Sequence, residues 1–429
     1  MLRPGSEGGR SKVSARLVGI CCALFVLSTV PSGAATYEVD RLTDANPAGG
    51  GEGANLVGDL RYALTQAQPG DAISIQVAGT IDLTAALPVL TRNICIQGPG
   101  ANLLTVHGAG GSVFAVQSGT TVTLSGLAIT GGVGNGGGIY NQGTLTLNND
   151  TVHGNAAGDP TNGGGTGAGI WNDVGAILTL NGSTVSGNSA IGNLSYAASN
   201  GGGIANYGTL TLNNSTVSGN SASQGFGGGI SNALDVSVLT LNDSTVSANS
   251  ATGSIGGVDN RGTLTIRNTI IAGNTSGDLS GNVLSEGYNL FGTTNGGGFA
   301  GTDLLDVVPL LGPLQDNGGP TETMAPLPGS PAIDRTPGTP GVNFPATDQR
   351  GVLRPQGALA DTGGVEIEIS GAGSRTATGD LDRATRRLRA VEAQAAGPAA
   401  RSPIIRVGPD RGPARLLGTR GGNVALCTP

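Results

Sequence analysis

Two histidines, His107 and His153, are the whole imidazole complement of the chain. Neither stands at a metal-ligand spacing, and no Ser-His-Asp arrangement can be read from the sequence. Acid/base work would therefore fall to other groups. Glycoside hydrolysis needs two carboxylates on one face. Asp150 and Asp243 hold neighbouring places in a repeated pattern. They lie three repeats apart, roughly 14 Å once strands stack at their usual spacing, which is too far to share one bond. β-Elimination needs a base, Arg or Lys, with acids that hold calcium. Arg261 and Arg267, with Asp259 and Asp278 nearby in sequence, are the arginine–acid cluster of the repeats. The competing reading makes them exposed charges that keep the molecule soluble. Calcium enters only with that chemistry, and no other cofactor or metal is implied.

Aromatic side chains give a second kind of site. Tyr140 and Trp171 hold the same place in consecutive repeats, one residue after an inward isoleucine. Tyr207 lies one repeat further on, at the place that Asp173 holds before it. Outward rings at this spacing stack on sugar rings, with Asp173 and nearby asparagines bonding hydroxyls. The alternative packs the rings under the long loop from Ala156 to Gly169. Glycine runs such as Gly163-Gly164-Gly165 precede neither Lys-Ser/Thr nor a helix, so they are not phosphate loops.

These residues sit on a repeat that must position them. GGGIYNQGTLTLNNDTVHGN, from Gly136, returns as GAGIWNDVGAILTLNGSTVSGN from Gly167 and as GGGIANYGTLTLNNSTVSGN from Gly201. Two more copies follow, and spacing varies from about 25 to 34 residues. Thr-Leu-Thr-Leu alternates with the period of a strand. Such strands are too short to form a sheet within one copy, but stacked copies pair each strand with its counterpart above and below. The leucines, valines and isoleucines then line the inside of a tube, a parallel β-helix. Each copy carries one asparagine after the first strand (Asn141, Asn172, Asn206, Asn232, Asn260) and closes on another (Asn155, Asn188, Asn220, Asn249, Asn274). Stacked turns let these amides bond one another in ladders. Leu60 to Ala67 reads as a short amphipathic helix that covers the open end of the tube.

The boundaries follow. Residues 1–35 read as a signal peptide, with Arg3, Arg10, Lys12 and Arg16 before the apolar run Leu17–Val30, too short for a comfortable membrane span. No transmembrane segment is expected after cleavage. The β-helix covers 36–300, clearest over 136–276. A loop-rich C-terminal region, 301–370, finishes or caps the tube, and a basic low-complexity tail, 371–429, reads as disordered. From Thr36 to Ser370 there are 24 acids against 8 arginines; the tail has 10 arginines against 4 acids. An acidic body argues against nucleic acid as partner. Outside the leader, Cys95 and Cys427 lie far apart and provide no disulfide framework. A monomer is expected.

Three motif groups carry a resemblance. Asp59-Leu60-Arg61-Tyr62-Ala63, Pro69-Gly70-Asp71-Ala72-Ile73 and Ile94-Cys95-Ile96-Gln97-Gly98 resemble the N-terminal part of secreted right-handed β-helix proteins with a CSLREA-type domain, although the cysteine and serine of that signature are absent. The repeats are similar to those of polymorphic outer-membrane and pectate-lyase-like β-helices. Gly287-Tyr288-Asn289-Leu290, Leu311 to Thr321, Gly329 to Asp334 and Thr347-Asp348-Gln349-Arg350-Gly351 look like the choice-of-anchor Q domain of bacterial surface and secreted proteins. Asp361 to Glu366 is a changed form of that domain's closing motif. The resemblance implies an all-β, right-handed, pectate-lyase-like solenoid that is secreted or displayed on the cell surface, either anchored or released. The expected role is adhesin-like, binding a polysaccharide or cell-surface ligand without catalysis. A lyase acting on a uronic-acid polysaccharide is the alternative. Outward rows at Thr144, Thr209, Thr263 and at Thr146, Thr179, Thr211, Thr240, Thr265 resemble ice-binding faces, a remote third reading against their plain role as strand surface.

Overall fold

The computed structural model describes residues 33–45, 53–158, 164–192 and 200–367. Residues 1–32, most of the expected signal peptide, and residues 368–429, with the basic tail, lie outside them. The repeats wind into a right-handed parallel β-helix, the hand that crossovers between parallel strands almost always take. Each full coil carries four short strands. In the first clear coil these are Ile139–Asn141, Thr144–Asn148, Thr151–His153 and Ala156–Ala157. Counterparts from successive coils pair in parallel and in register. The Thr-Leu-Thr-Leu strands make one long sheet (sheet I), the Thr-Val strands a second (sheet II), and the Ile-x-Asn strands a third (sheet III). A short fourth stack closes the remaining corner.

The period-two pattern decides which side is wet. Leu145, Leu178, Leu210, Leu239 and Leu264 face inward with little or no exposure, and Val152, Val185, Val217 and Val246 face them from sheet II. Full burial of such a side chain is worth about 1.5–3 kcal/mol, so every coil contributes its own small layer of core. The helix Leu60–Gln66 covers the first coils. Asp59 caps it by accepting from the Tyr62 N–H. Arg61 is buried beneath it, its Nε and Nη2 donating to Asp44 at 2.5 and 2.8 Å and its remaining donors to the Ala85 and Ala86 carbonyls. Burial pushes the Asp44 carboxyl up, but the bonds from Arg61 and Thr84 outweigh it and hold the group below its ordinary range. Cys95 is disulfide-bonded.

Corners are made by stacked left-handed residues. Gly154, Gly187, Gly219, Ala248 and Gly273 share one corner, with φ between 59° and 77°. Ala248 is the member with a Cβ, at φ 59° and exposed. A left-handed alanine costs roughly 1–2 kcal/mol, partly offset by the extra freedom a glycine loses on folding. Ala248→Gly is therefore expected to raise stability by up to about 1 kcal/mol, read as a higher urea midpoint at unchanged slope.

Beyond Phe299, which packs edge-on against Phe291, the chain covers the last coil, where Leu304 bridges to Leu290. It then turns back along the outside of sheet II as an arm. Gln349 is its main foothold: its Oε1 accepts from the Thr216 hydroxyl, and its Nε2 donates to Thr184 Oγ1 and Thr321 Oγ1. Thr184 donates to the Glu322 carbonyl, Thr321 to the Gly182 carbonyl, and the Gly364 N–H bonds Thr245. Outward threonines of sheet II are thus buried under the arm.

Candidate functional site

Sheet III carries two outward-pointing columns separated by its asparagine ladder, the first of them covered from Ala205 onward. The first runs Tyr140, Trp171, Ala205, Ser231, Asp259. The second lies just beyond the ladder and runs Gln142, Asp173, Tyr207, Ala233, Arg261. Trp171 and Tyr207 stack with ring centroids 5.1 Å apart at 28°, and Tyr140 meets Trp171 at 5.8 Å and 54°. The three rings form one staircase, half-buried and open to solvent.

Asp173 is fastened to this staircase. Its Oδ2 accepts from the Tyr140 hydroxyl at 3.1 Å and from Gln142 Nε2 at 3.0 Å, and its Oδ1 from the Val174 N–H. Burial pushes its carboxyl up, but the hydrogen bonds led by Gln142 outweigh it and keep it below the usual range. A fixed, ionised acceptor thus stands beside aromatic faces. Tyr207 is held by Asn200 and Thr166, and burial raises its phenol pKa, as it does for Tyr140. Further along, Arg261 lies over the Phe226 ring at 5.1 Å and 3.5 Å from Asp259. The strip from Tyr140 to Arg261 crosses four inter-coil steps, roughly 19 Å at the strand spacing.

The aromatic candidates and one arginine–acid pair therefore share a face. The four-residue arginine–acid cluster expected from sequence is not assembled. Arg267 ends a strand of sheet I, in the column of Asn242, and its charge acts on Asp243. Asp278 is buried and terminates an inner ladder, accepting from the Asn274 N–H and Nδ2 and from Thr293. Asp150 and Asp243 do stand in neighbouring columns, and both are buried. Asp150 accepts from the Leu127 and Asn148 N–H groups, and burial pushes its carboxyl up to about 8. His107 and His153 share a column of sheet II with Thr130 between them, and His107 Nδ1 stands 3.3 Å from Asp82. Among the described residues, no group of three or more His, Cys, Asp or Glu gathers as a metal would require.

Both inner ladders form. Asn141, Asn172, Asn206, Asn232 and Asn260 pass side-chain bonds of 2.7–2.8 Å from coil to coil. Asn155, Asn188, Asn220, Asn249 and Asn274 do the same at 2.9 Å. A third ladder, on the outer face of sheet I, was not foreseen: Asn242, Asn213, Asn181 and Asn148 each donate to the preceding coil, ending on the Ser125 hydroxyl. Its signal is the asparagine closing each Thr-Leu-Thr-Leu, which also reads as a turn residue. On the same face Thr146, Thr179, Thr211, Thr240 and Thr265 form an unbroken row, whereas Ile177 and Val238 interrupt the row of Thr144, Thr209 and Thr263. Gln142 and Phe226 are strip residues that the sequence reading missed. Phe226 follows Thr166 and Asn200 in one column of bridges.

No family model matches the chain, and no curated protein matches it. Among solved structures, the crystal structure of pectate lyase Pel9A is similar over 79% of this chain and 97% of that chain, at 13% identity and a TM-score of 0.43. The architecture of this chain stands on its own strand pairing. Among the described residues no helix is long and apolar enough to cross a membrane.

Proposed function

We propose that this chain is a secreted or cell-surface β-helix, akin to CSLREA-type proteins with a choice-of-anchor Q region, that binds carbohydrate along sheet III without cleaving it. The observation that carries this reading is the staircase Tyr140–Trp171–Tyr207 with Asp173 fixed beside it. Stacked rings offer apolar faces to sugar rings, and a fixed carboxylate selects hydroxyl donors. Asp173 is the one carboxylate of that arrangement, and its oxygens are already engaged by Tyr140, Gln142 and the Val174 N–H. Residues that would otherwise serve as acids, Asp150 and Asp278, are buried in backbone and ladder bonds. The Arg261–Asp259 pair at the far end of the strip is what favours the alternative, a lyase acting on a uronic-acid polymer.

The test is retention on a panel of neutral and acidic polysaccharides, with absorbance of unsaturated uronate followed in parallel, with and without calcium. Retention without new absorbance is expected. Trp171→Ala should weaken it at least about tenfold, the cost of one central aromatic anchor. Absorbance that disappears in Arg261→Ala would make the protein a lyase. Retention unchanged in Trp171→Ala would remove the staircase as the binding site.

A further inference from the structure

Five buried side-chain atoms without a hydrogen-bond partner belong to residues at the edge between sheets I and II and to the arm that crosses it: Asn214 Oδ1, Asp243 Oδ2, Asn268 Oδ1, Arg267 Nε and Arg354 Nε. Asn214, Asp243 and Asn268 are successive members of one corner column, all left-handed, with φ of 47°, 50° and 48°. The arm fastens to this column from outside. Asn214 Nδ2 donates to the Thr347 carbonyl at 2.8 Å, Asn268 Nδ2 to the Asn343 carbonyl at 3.1 Å, and the Gly363 N–H to the Asn268 carbonyl at 2.8 Å.

The column follows the direction of the neighbouring outer ladder, in which each amide donates to the coil before it. Asn268 Nδ2 donates to Asp243 Oδ1 at 3.2 Å. The next step, from residue 243 to Asn214 Oδ1, needs a donor. An ionised Asp243 has none, and Oδ2 and Asn214 Oδ1 are left as two acceptors. A protonated Asp243 carries an O–H and completes the step. An ionised Oδ2 has another choice: the unpartnered Nε of Arg354 from the arm, or that of Arg267 from its own stack.

We propose that Asp243 is a proton-operated latch for the C-terminal arm. Protonated, it extends the column to Asn214 and holds in place the two amides on which the arm is seated. Ionised, after losing its proton to solvent, it breaks the column and draws on Arg354, whose Nη1 and Nη2 otherwise donate to the Asp361 and Gly363 carbonyls. The arm then loosens over Thr184, Thr216 and Thr245.

The charges around Asp243 are Arg267 and Arg354. Behind Arg354 stand Glu366, 3.8 Å from its Nη1, and Asp361; Asp348 and Arg350 complete the buried arm network. Burial holds the Asp243 carboxyl up at about 6 against the pull of Arg354, Asn268 and Arg267. Burial, then the charge of Asp361, hold Glu366 up at about 7. Both groups keep a proton more tightly in the folded chain than in the unfolded one. On the latch proposal, that linkage makes seating firmest at acid pH and weaker as pH rises through these values.

Amide hydrogen exchange on the full chain in an Asp150→Ser background, which removes the pH dependence that Asp150 gives the coils, at pH 5 and pH 8, each normalised for intrinsic chemistry, tests this. The Gln349, Gly363 and Gly364 amides should lose at least about tenfold more protection at pH 8 than amides of the coils do, a change of one pKa unit's worth. When Asp243→Asn is added a permanent amide donor replaces the carboxyl, and most of that excess should vanish. Equal arm and coil behaviour with Asp243 present overturns the latch, as does an undiminished excess in Asp243→Asn. If Asp243→Asn fails to fold, Glu366→Gln decides: an excess that survives there supports Asp243, and one that vanishes moves the titration to Glu366 and overturns the assignment.

Discussion

Replacing Asn220 by alanine lowers the unfolding free energy by about 3–5 kcal/mol. Asn220 is fully buried in the inner ladder at the corner after sheet II. Its Nδ2 donates to Asn249 Oδ1 and to the Val185 carbonyl, both at 2.9 Å, and its Oδ1 accepts from the Asn188 N–H and Nδ2. Alanine leaves the Asn188 N–H with no partner inside a closed tube and takes from the Val185 carbonyl its second donor. An orphaned buried N–H costs about 1–3 kcal/mol, and the lost amide bonds and the void beneath Gly203 add to it. Asn181→Ala in the outer ladder removes a similar-looking pair of bonds from a half-buried side chain that water reaches. That change should cost about 1 kcal/mol or less. Urea midpoints of the two variants measure the contrast. Equal losses would mean that the inner ladder is not what holds successive coils together.

Unfolding free energy, measured by urea at a series of pH values, should be greatest near about pH 4–5 and fall steadily towards pH 8.5. Asp150 drives most of the fall. Its carboxyl is held at about 8 against an ordinary 3.8, so the folded chain keeps a proton that the unfolded chain releases. That contribution is fully present below the unfolded value and is lost as pH rises to the folded one. At about 1.4 kcal/mol per pKa unit, the loss approaches 5–6 kcal/mol as a ceiling. Glu366 and Asp243, at about 7 and about 6, act in the same direction. Asp44 acts in the other: its carboxyl is held low, so its contribution is lost as pH falls below the ordinary carboxylate range. Asp150→Ser is the informative variant. In the next coils the same column holds Ser183, Ser215, Ser244 and Thr269, each accepting from the backbone N–H one coil before. A hydroxyl at position 150 continues that row without a charge. It should flatten most of the decline above pH 6, and a curve parallel to the wild type would remove Asp150 as its source.

The tube was legible in the sequence because its physics repeats. Leu145, Leu178 and Leu210 recur with threonines between them, and a period of two that returns at each coil has few other solutions. The inner asparagines were legible for the same reason. What the strip brings together was harder to see. Trp171 and Arg261 lie 90 residues apart, and only the strand register puts them on one face. The arm was not legible. Gln349 meets Thr216 across 133 residues, and nothing in Thr-Asp-Gln-Arg-Gly states which threonines it will cover. Thr184, Thr216 and Thr245 read as ordinary outward strand residues, and their burial follows from a partner that has no repeat of its own.

The coils present nearly the same surface above and below, down to the paired Asn-Asn bonds. A genome can therefore duplicate or delete one whole coil, and the new neighbours will still match. Extra residues between copies fall at the corner leading into sheet III, so lineages can vary that corner while the tube stays in register. The arm limits this freedom. Gln349 reaches Thr184 and Thr216 in adjacent coils, and Gly364 reaches Thr245 in the next. An arm of fixed length that must land on three successive coils works as a gauge. Descendants that gain or lose a coil beneath it lose their footing, whereas changes on the N-terminal side of Thr184 leave the gauge intact. Length variation among descendants of this chain should accumulate on that side.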